Sequence, residues 1–367
     1  MATHRSILLT GATGLLGRDV LTRLLAADPA LRVLALVRDA DRWNASSRSI
    51  PGIDRVTPVA GDLRADGLGL NAWARQQVRR NATVIIHLAA DTKFSRPLDR
   101  ARAVNTAGTL RLLELASECA ASVRFAYVST AFVAGRRVGA ILENESTHDA
   151  GWANAYEQSK YEAEALVRSH AADWTILRSS TVVCDDVGGG VTQMNAVHRA
   201  LQLYRNGLAA MMPGVAGSTV DAVTTAYVGD AIARLAFHDD LYRRAVHLCA
   251  GAGALPLEEL LAITWERWAA LDPAWRRRGI PRPALADLRT YALFEQSVEE
   301  IGDASLGRVE RALSHFAPQL ALPKRFETST ADALLGAPAP AVRDYWLSMI
   351  DNLTETHWGG VAATRAA

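Results

Sequence analysis

Tyr156 and Lys160 stand four residues apart in Tyr156-Glu157-Gln158-Ser159-Lys160, a spacing that puts a phenol and an ammonium on one face of a helix. With the charges about 5 Å apart and an effective dielectric near 20, the ammonium would favour the phenolate by roughly 3 kcal/mol, or about two pK units. A phenol tuned that way exchanges a proton with a carbonyl or alkoxide oxygen near neutral pH, a role typically worth about 10² to 10⁴ in rate. Such a pair also occurs on the surfaces of ordinary amphipathic helices, so its meaning depends on context. That context is Tyr127-Val128-Ser129-Thr130-Ala131, an apolar run that reads as a strand ending in two hydroxyls and opening toward the same crevice. Thr130 is the expected third member, donating to a substrate oxygen as negative charge develops there. Ser129 is its rival, and capping of the strand end is the structural use of either hydroxyl.

These side chains need a sheet to bring them together, and its first strand carries a second motif. Ser6 to Thr10 is apolar and runs into Gly11, Gly14 and Gly17, after which Leu16, Val20, Leu21, Leu24 and Leu25 follow at helical spacing until Asp28-Pro29. Gly11 allows a tight turn, Gly14 lets backbone N–H groups approach a pyrophosphate, and Gly17 lets the helix pack closely on the sheet. Thr10, Thr13, Leu15 and Leu16 fall within the same loop and are expected at the cofactor. At the end of the next strand, Leu31 to Val37, an acidic residue would bond the ribose of NAD; Arg38 stands there instead. A guanidinium is a fork of donors suited to a phosphate, so Arg38, helped by Arg18, points to NADPH. Asp39 next door leaves a ribose contact open.

The remaining chain alternates strands and helices: strands at 55–59, 84–90, 124–129 and 174–177, and helices at 71–80, 104–120 and 153–171. Continuous apolar strands with intervening helices specify an α/β fold with a doubly wound, parallel Rossmann sheet. Ligands on such sheets bind beyond the carboxyl ends of the strands, where Gly11, Arg38, Asp62, Ala89 and Ser129 fall. Gly188-Gly189-Gly190 introduces a helix bearing Met194, Val197, Leu201, Tyr204 and Leu208 on one face, readable as a hinged lid or as a helix packing its stripe into a core. A helix at 228–237 and a strand at 245–249 return to the sheet. A smaller, mostly helical lobe follows and holds five of the nine tryptophans. The division expected is 1–183 as cofactor-binding core, 184–227 as lid, 228–252 as return to the sheet, and 253–367 as C-terminal substrate lobe.

Forty basic against thirty-nine acidic residues give a net charge of +1, so no global field favours nucleic acid or an anionic membrane. No apolar run reaches the roughly 18 residues of a spanning helix, and no secretory h-region precedes the first strand. Cys119, Cys184 and Cys249 are far apart without metal-ligand spacing, which fits a reducing, cytoplasmic setting. The nine histidines show no metal pattern, and His87 reads as a strand residue.

The combination Thr10 to Gly17, Asp62-Leu63, Leu88-Ala89-Ala90, Asn105, Ser129-Thr130 and Tyr156 to Lys160 resembles the extended short-chain dehydrogenase/reductases over roughly residues 5 to 250. Within them, Leu36-Val37-Arg38, Val104 to Thr109, Val128 to Val133 and Asn154 to Glu164 are most similar to the thioester reductases: terminal reductase domains of peptide and polyketide synthetases, carboxylic acid reductases and fatty acyl-CoA reductases. The resemblance implies hydride delivery from NADPH to an acyl thioester, giving an aldehyde or, after a second hydride, an alcohol. It also implies that Asp62 and Leu63 flank the adenine, that Ala89 and Ala90 flank the cofactor backbone, and that Asn105 braces the active-site strand; Lys160, on the helix face it shares with Tyr156, could also hold the nicotinamide ribose hydroxyls. Ser179 and Cys184 depart from the proline and glycine usual after Leu177-Arg178, at the nicotinamide end. A thioester would arrive as a CoA ester or on a separate acyl or peptidyl carrier protein, whose phosphates Trp275 to Arg282 could meet; a solvated basic loop is the plainer reading of that segment. A free aldehyde, ketone or alcohol is the alternative substrate, and a non-catalytic NADP-binding regulator a third reading.

Overall fold

A computed structural model of the protein describes residues 6–301 and 316–358. The first half contains β1 (Ser6–Thr10), α1 (Leu15–Ala27), β2 (Arg32–Val37), α2 (Ala40–Ser47), β3 (Val56–Ala60), α3 (Ala72–Asn81), β4 (Val84–His87), α4 (Leu98–Asn105), α5 (Ala107–Ser117), β5 (Arg124–Thr130), β6 (Gly139–Ile141), α6 (Ala155–His170) and β7 (Asp173–Ser179). The second contains β8 (Thr181–Cys184), α7 (Ala196–Arg205), β9 (Met211–Pro213), β10 (Thr219–Val220), β11 (Ala222–Thr224), α8 (Thr225–Leu235), β12 (Arg244–Leu248), β13 (Leu255–Pro256), α9 (Leu257–Leu271), α10 (Pro273–Arg277), β14 (Ala284–Ala286) and α11 (Leu288–Ile301). Helix Ala317–Ala321, strand β15 (Lys324–Phe326) and helices Ser329–Leu335 and Val342–Glu355 complete it.

Seven strands form one sheet in the order β3-β2-β1-β4-β5-β7-β12, every pair parallel. Both faces are covered, and the alternation along β1 shows how. Ile7 and Leu9 pack with Leu21 and Leu25 of α1 and Val228 and Ile232 of α8, whereas Leu8 joins Val78 of α3, Leu112 of α5 and Val167 of α6 on the other face. This is the doubly wound sheet expected from the sequence. Its strand order reverses between β1 and β4, the switch point at which such sheets open a crevice.

Some boundaries move. The helix expected at 104–120 is two helices broken at Thr106, because Asn105 and Thr106 turn their side chains to α6 instead of continuing one axis: the Thr106 hydroxyl donates to the Ser159 carbonyl at 3.1 Å. The strand expected at 84–90 stops at His87, which frees Leu88, Ala89 and Ala90 to line the crevice. The glycine run at 188–190 is a packing device. Gly189 has φ +80°, and a Cβ there would lie 2.3 Å from backbone atoms of Ser348 and Met349.

Beyond the sheet, a second core joins α7, α9, α10 and helix Val342–Glu355, with Trp268 edge-on to Tyr204 at 5.2 Å and to Trp275 at 5.6 Å. Two of the buried indoles have satisfied N–H groups: Trp275 donates to the Arg205 carbonyl at 2.6 Å and Trp346 to the Thr264 hydroxyl at 2.8 Å, whereas among the described residues the Trp268 N–H meets only its aromatic neighbours. All five C-terminal tryptophans thus belong to one apolar core, Trp268, Trp275 and Trp346 buried in it and Trp265 and Trp358 packed against it. α7 supplies Val197, Leu201 and Tyr204 to it while its first turn faces the crevice.

Candidate active site

A cleft of about 1230 Å³ opens at the carboxyl ends of β1, β2, β4, β5 and β7. Its cofactor end is mostly backbone. Gly11 adopts φ +78°, where a Cβ would sit 2.8 Å from the Ala89 nitrogen, and a Cβ on Gly17 would come within 2.0 Å of the Gly11 carbonyl oxygen. The loop therefore tolerates no side chain at either position. α1 starts at Gly14 with no capping side chain and no acidic residue in its first turn, while α2, α3, α6, α7 and α8 are each capped by Asp, Asn or Thr. Its free N–H groups and dipole face the cleft, a cradle that fits a pyrophosphate.

The end of β2 bears on the choice of dinucleotide. Arg38 is exposed and lines the cleft, with Arg42 beside it. Asp39 is occupied, its carboxylate accepting from the Arg42 backbone N–H at 2.9 Å as the cap of α2. Arg18, expected to help Arg38, is exposed on α1 and does not line the cleft; Arg42 stands where that helper was sought. Asp62 pairs with Arg64 at 2.6 Å, and that hydrogen bond outweighs partial burial to hold its carboxyl at about 2.

Thr10, Thr13, Leu15, Leu16, Leu63, Ala89, Ala90 and Ser179 also line the cleft. Two of these have committed hydroxyls. Thr10 bonds His87 at 2.7 Å and accepts from the Ala89 N–H at 3.1 Å, and Ser179 donates to the Ser180 carbonyl at 2.9 Å. His87 also meets Thr109 at 3.0 Å, and burial, with the Lys160 charge, pushes it down to about 3. It is a neutral connector between β1, β4 and α5.

Thr130, Tyr156 and Lys160 converge on the other side of the same cleft. Thr130 ends β5 and accepts from the Phe132 N–H at 3.3 Å, and its hydroxyl lies close enough to the Tyr156 phenol to favour the phenolate. Ser129 turns its hydroxyl toward Glu164, beneath the sheet end. Lys160 is buried beneath Tyr156, with its Nζ donating to the Val128 carbonyl at 2.8 Å and lying 4.0 Å from the centre of the Tyr127 ring. Burial pushes Lys160 down to about 7 and Tyr156 up to about 12, the latter opposed by the Thr130 hydroxyl. The lowering of the phenol pKa expected from Lys160 is therefore absent. Desolvation dominates, because the ammonium is turned to the β5 backbone and not to the phenol.

α6 is held at both ends. Asn154 caps it and Glu157 reaches back to the Ala153 N–H at 2.9 Å. Further along, Glu164 forms a buried pair with Arg178 of β7 at 2.8 Å. Asn105 braces this helix, not the active-site strand: its amide donates to the Ser159 hydroxyl at 2.9 Å and its carbonyl accepts from the Asp91 N–H at 2.8 Å.

Residues 9–232 match the NAD-binding family described as male sterility protein. The chain belongs to this family. The match takes in the glycine loop, Arg38, Thr130, Tyr156 and Lys160, and it implies a nicotinamide cofactor, which the uncapped α1 cradle fits. Fatty acyl-CoA reductase 8 of Arabidopsis thaliana is 27% identical over 165 residues, 38% of this chain and 33% of that one. Adenylate-forming reductase Nps9 of Serpula lacrymans is 33% identical over 191 residues, 47% of this chain and 17% of that one. The chain spans about a third of the length of the acyl-CoA reductases it matches, at 37%, 33% and 33% for three of them. The crystal structure of the terminal R domain from the myxalamid PKS-NRPS pathway superposes with a TM-score of 0.77 at 25% identity, covering 98% of this chain and 92% of that one. These likenesses place this family member among the extended short-chain dehydrogenase/reductases of the thioester reductase group.

Its substrate end contains residues that sequence reasoning missed. Phe94 stacks on Tyr156 with ring centres 5.4 Å apart, and Phe316 stacks on Phe94 at 6.1 Å. Cys184 is buried, donating to the Asp186 carbonyl at 3.3 Å, and lies outside the cleft lining. The arginines at 276–278 and Arg282 are exposed outside the cleft, while Trp275 is in the lobe core. No described helix is long and apolar enough to cross a membrane.

Proposed function

We propose that the protein is an NADPH-dependent reductase of acyl thioesters, acting in the cytoplasm on a CoA ester or a substrate borne by a separate carrier protein. One observation carries the reading: Thr130, Tyr156 and Lys160 line the same cleft as the dinucleotide cradle, where burial pushes the Tyr156 phenol up to about 12. A phenol held protonated suits proton donation, the direction reduction requires. Arg38 and Arg42, with Asp39 committed to its cap, favour the 2′-phosphate of NADP. Residues 1–183 and 228–252 serve the cofactor, and 184–227 and 253–367 the substrate.

When bound, the nicotinamide supplies a hydride to the thioester carbonyl carbon. The Thr130 and Tyr156 hydroxyls hold the carbonyl oxygen, and Tyr156 Oη gives it a proton as negative charge develops. Lys160 holds the cofactor ribose from beneath. The resulting hemithioacetal breaks its C–S bond, releasing thiol and aldehyde, for a net uptake of one hydride and one proton. A second round on the aldehyde gives the alcohol. Loss of NADPH absorbance with acyl-CoA and acyl-carrier substrates tests this reading. Turnover of free aldehydes or ketones with every thioester inert would overturn it in favour of an ordinary carbonyl reductase.

A further inference from the structure

Past the Phe94–Phe316 stack, the cleft continues into a side chamber of about 30 Å³, with Phe132, Thr181, Val197 and Phe316 forming the walls shared by the two spaces. Its inner wall carries Gln319, Lys324 and Asp221. Lys324 and Gln319 are each 7% exposed. Among the described residues, the Lys324 Nζ and the Gln319 Oε1 have no hydrogen-bond partner. The opposite end of the Gln319 amide is spent, since its Nε2 donates to the Glu157 carboxylate, one residue from Tyr156. A buried donor and a buried acceptor left unpaired are costly, and this structure keeps both on the wall of one chamber at the end of its substrate cleft.

We propose that this chamber is a subsite for an amide or hydroxyl group on the acyl chain, with Lys324 Nζ donating to its oxygen and Gln319 Oε1 accepting from its N–H or O–H. The inference rests on the thioester reading above. The space holds a group of a few atoms and not an alkyl tail, which would also leave both polar atoms unsatisfied. A carboxylate is disfavoured, because one carboxyl already lines the chamber and a second already acts on Lys324. Asp221 accepts from the Ala250 and Gly251 N–H groups at 2.8 and 2.9 Å, and Glu157 lies within electrostatic reach of Lys324. Burial lowers Lys324 and raises Glu157, each opposed by the other's charge. A neutral group that both donates and accepts meets the unspent atoms without adding charge.

The test compares kcat/KM for hexanoyl-CoA with a panel of isosteric six-atom acyl-CoAs carrying one amide or one hydroxyl at successive positions, N-acetyl-β-alanyl-CoA among them. The wild-type enzyme is expected to favour at least one of these by about tenfold or more, as sites built around a substrate N–H or O–H do. Lys324→Met and Gln319→Met should each bring that ratio close to one. The wild-type ratio needs no variant, so misfolding of either cannot hide the answer. Thioester turnover with no preference across the panel, or a preference that survives both substitutions, overturns this subsite alone. Failure of every thioester to consume NADPH overturns the thioester reading and the subsite with it.

Discussion

At its cofactor end the cleft presents backbone: a glycine turn that admits no Cβ, an uncapped helix start, and two exposed arginines at the rim. At its substrate end it presents buried and half-buried side chains drawn from positions as distant as Phe94, Phe132, Phe316 and Lys324. The first is a general cradle for a diphosphate, which any member of the superfamily needs. The second has no repeating geometry and is where one substrate is told from another. If the two ends are independent, a change at one should leave the other's readout intact.

The sharpest cut falls between them. Tyr156→Phe removes the proton donor and keeps the ring that stacks on Phe94, so kcat should fall by about 10² to 10⁴ with NADPH affinity nearly unchanged. Rapid-mixing turnover and a fluorescence titration of NADPH measure the two halves separately; wild-type turnover would remove Tyr156 from its role.

Next comes the frame beneath both ends. Glu164→Gln leaves Arg178 buried without its counter-charge and should cost about 3 to 5 kcal/mol by denaturant unfolding. The pH dependence follows in sign. Burial, the largest single influence, would raise the Glu164 carboxyl, but Arg178 together with Arg168 outweighs it and the folded value lies below the ordinary 4.5. A depressed carboxyl contributes stability that is fully present above its unfolded value and is lost as pH falls through the folded one. Wild-type stability should therefore decline below about pH 4.5 more steeply than that of Glu164→Gln.

How far the sequence reaches follows the same division. The glycine loop, the strands and the Thr130, Tyr156 and Lys160 set were legible because each is local: a strand period, a fixed spacing, a hydroxyl at a strand end. Arg42 escaped because its role depends on α2 starting at once after Asp39. Phe316, Gln319 and Lys324 escaped because they reach the cleft only through the short helix Ala317–Ala321 and the pairing of β15 with β6, contacts that span more than 150 residues and leave no periodic trace. The expected lowering of Tyr156 failed for another reason: spacing fixes which face a lysine shares, but not whether its ammonium turns to a backbone carbonyl.

At the rim, Arg38→Ala should weaken NADPH by about tenfold or more and NADH little, since a charge-assisted contact to a 2′-phosphate is at stake. Equal losses for the two would reassign Arg38 to the shared part of the dinucleotide. Arg42→Ala should show the same selectivity to a lesser degree.

The smallest effect is expected from a charge pair on α6 itself. Glu162 lies two residues from Glu164 and so on a different face of α6, where the Arg102 Nε donates to it at 2.8 Å across to α4. The Arg102 side chain is 46% exposed, against 3% for Arg178. Water already solvates both partners of the outer pair, so releasing them costs little, whereas the inner pair has no solvent to fall back on. Arg102→Ala should then leave the melting temperature within about 2 °C of wild type and kcat unchanged. A shift as large as that of Glu164→Gln would mean that α6 is held from its solvent face as firmly as from the sheet.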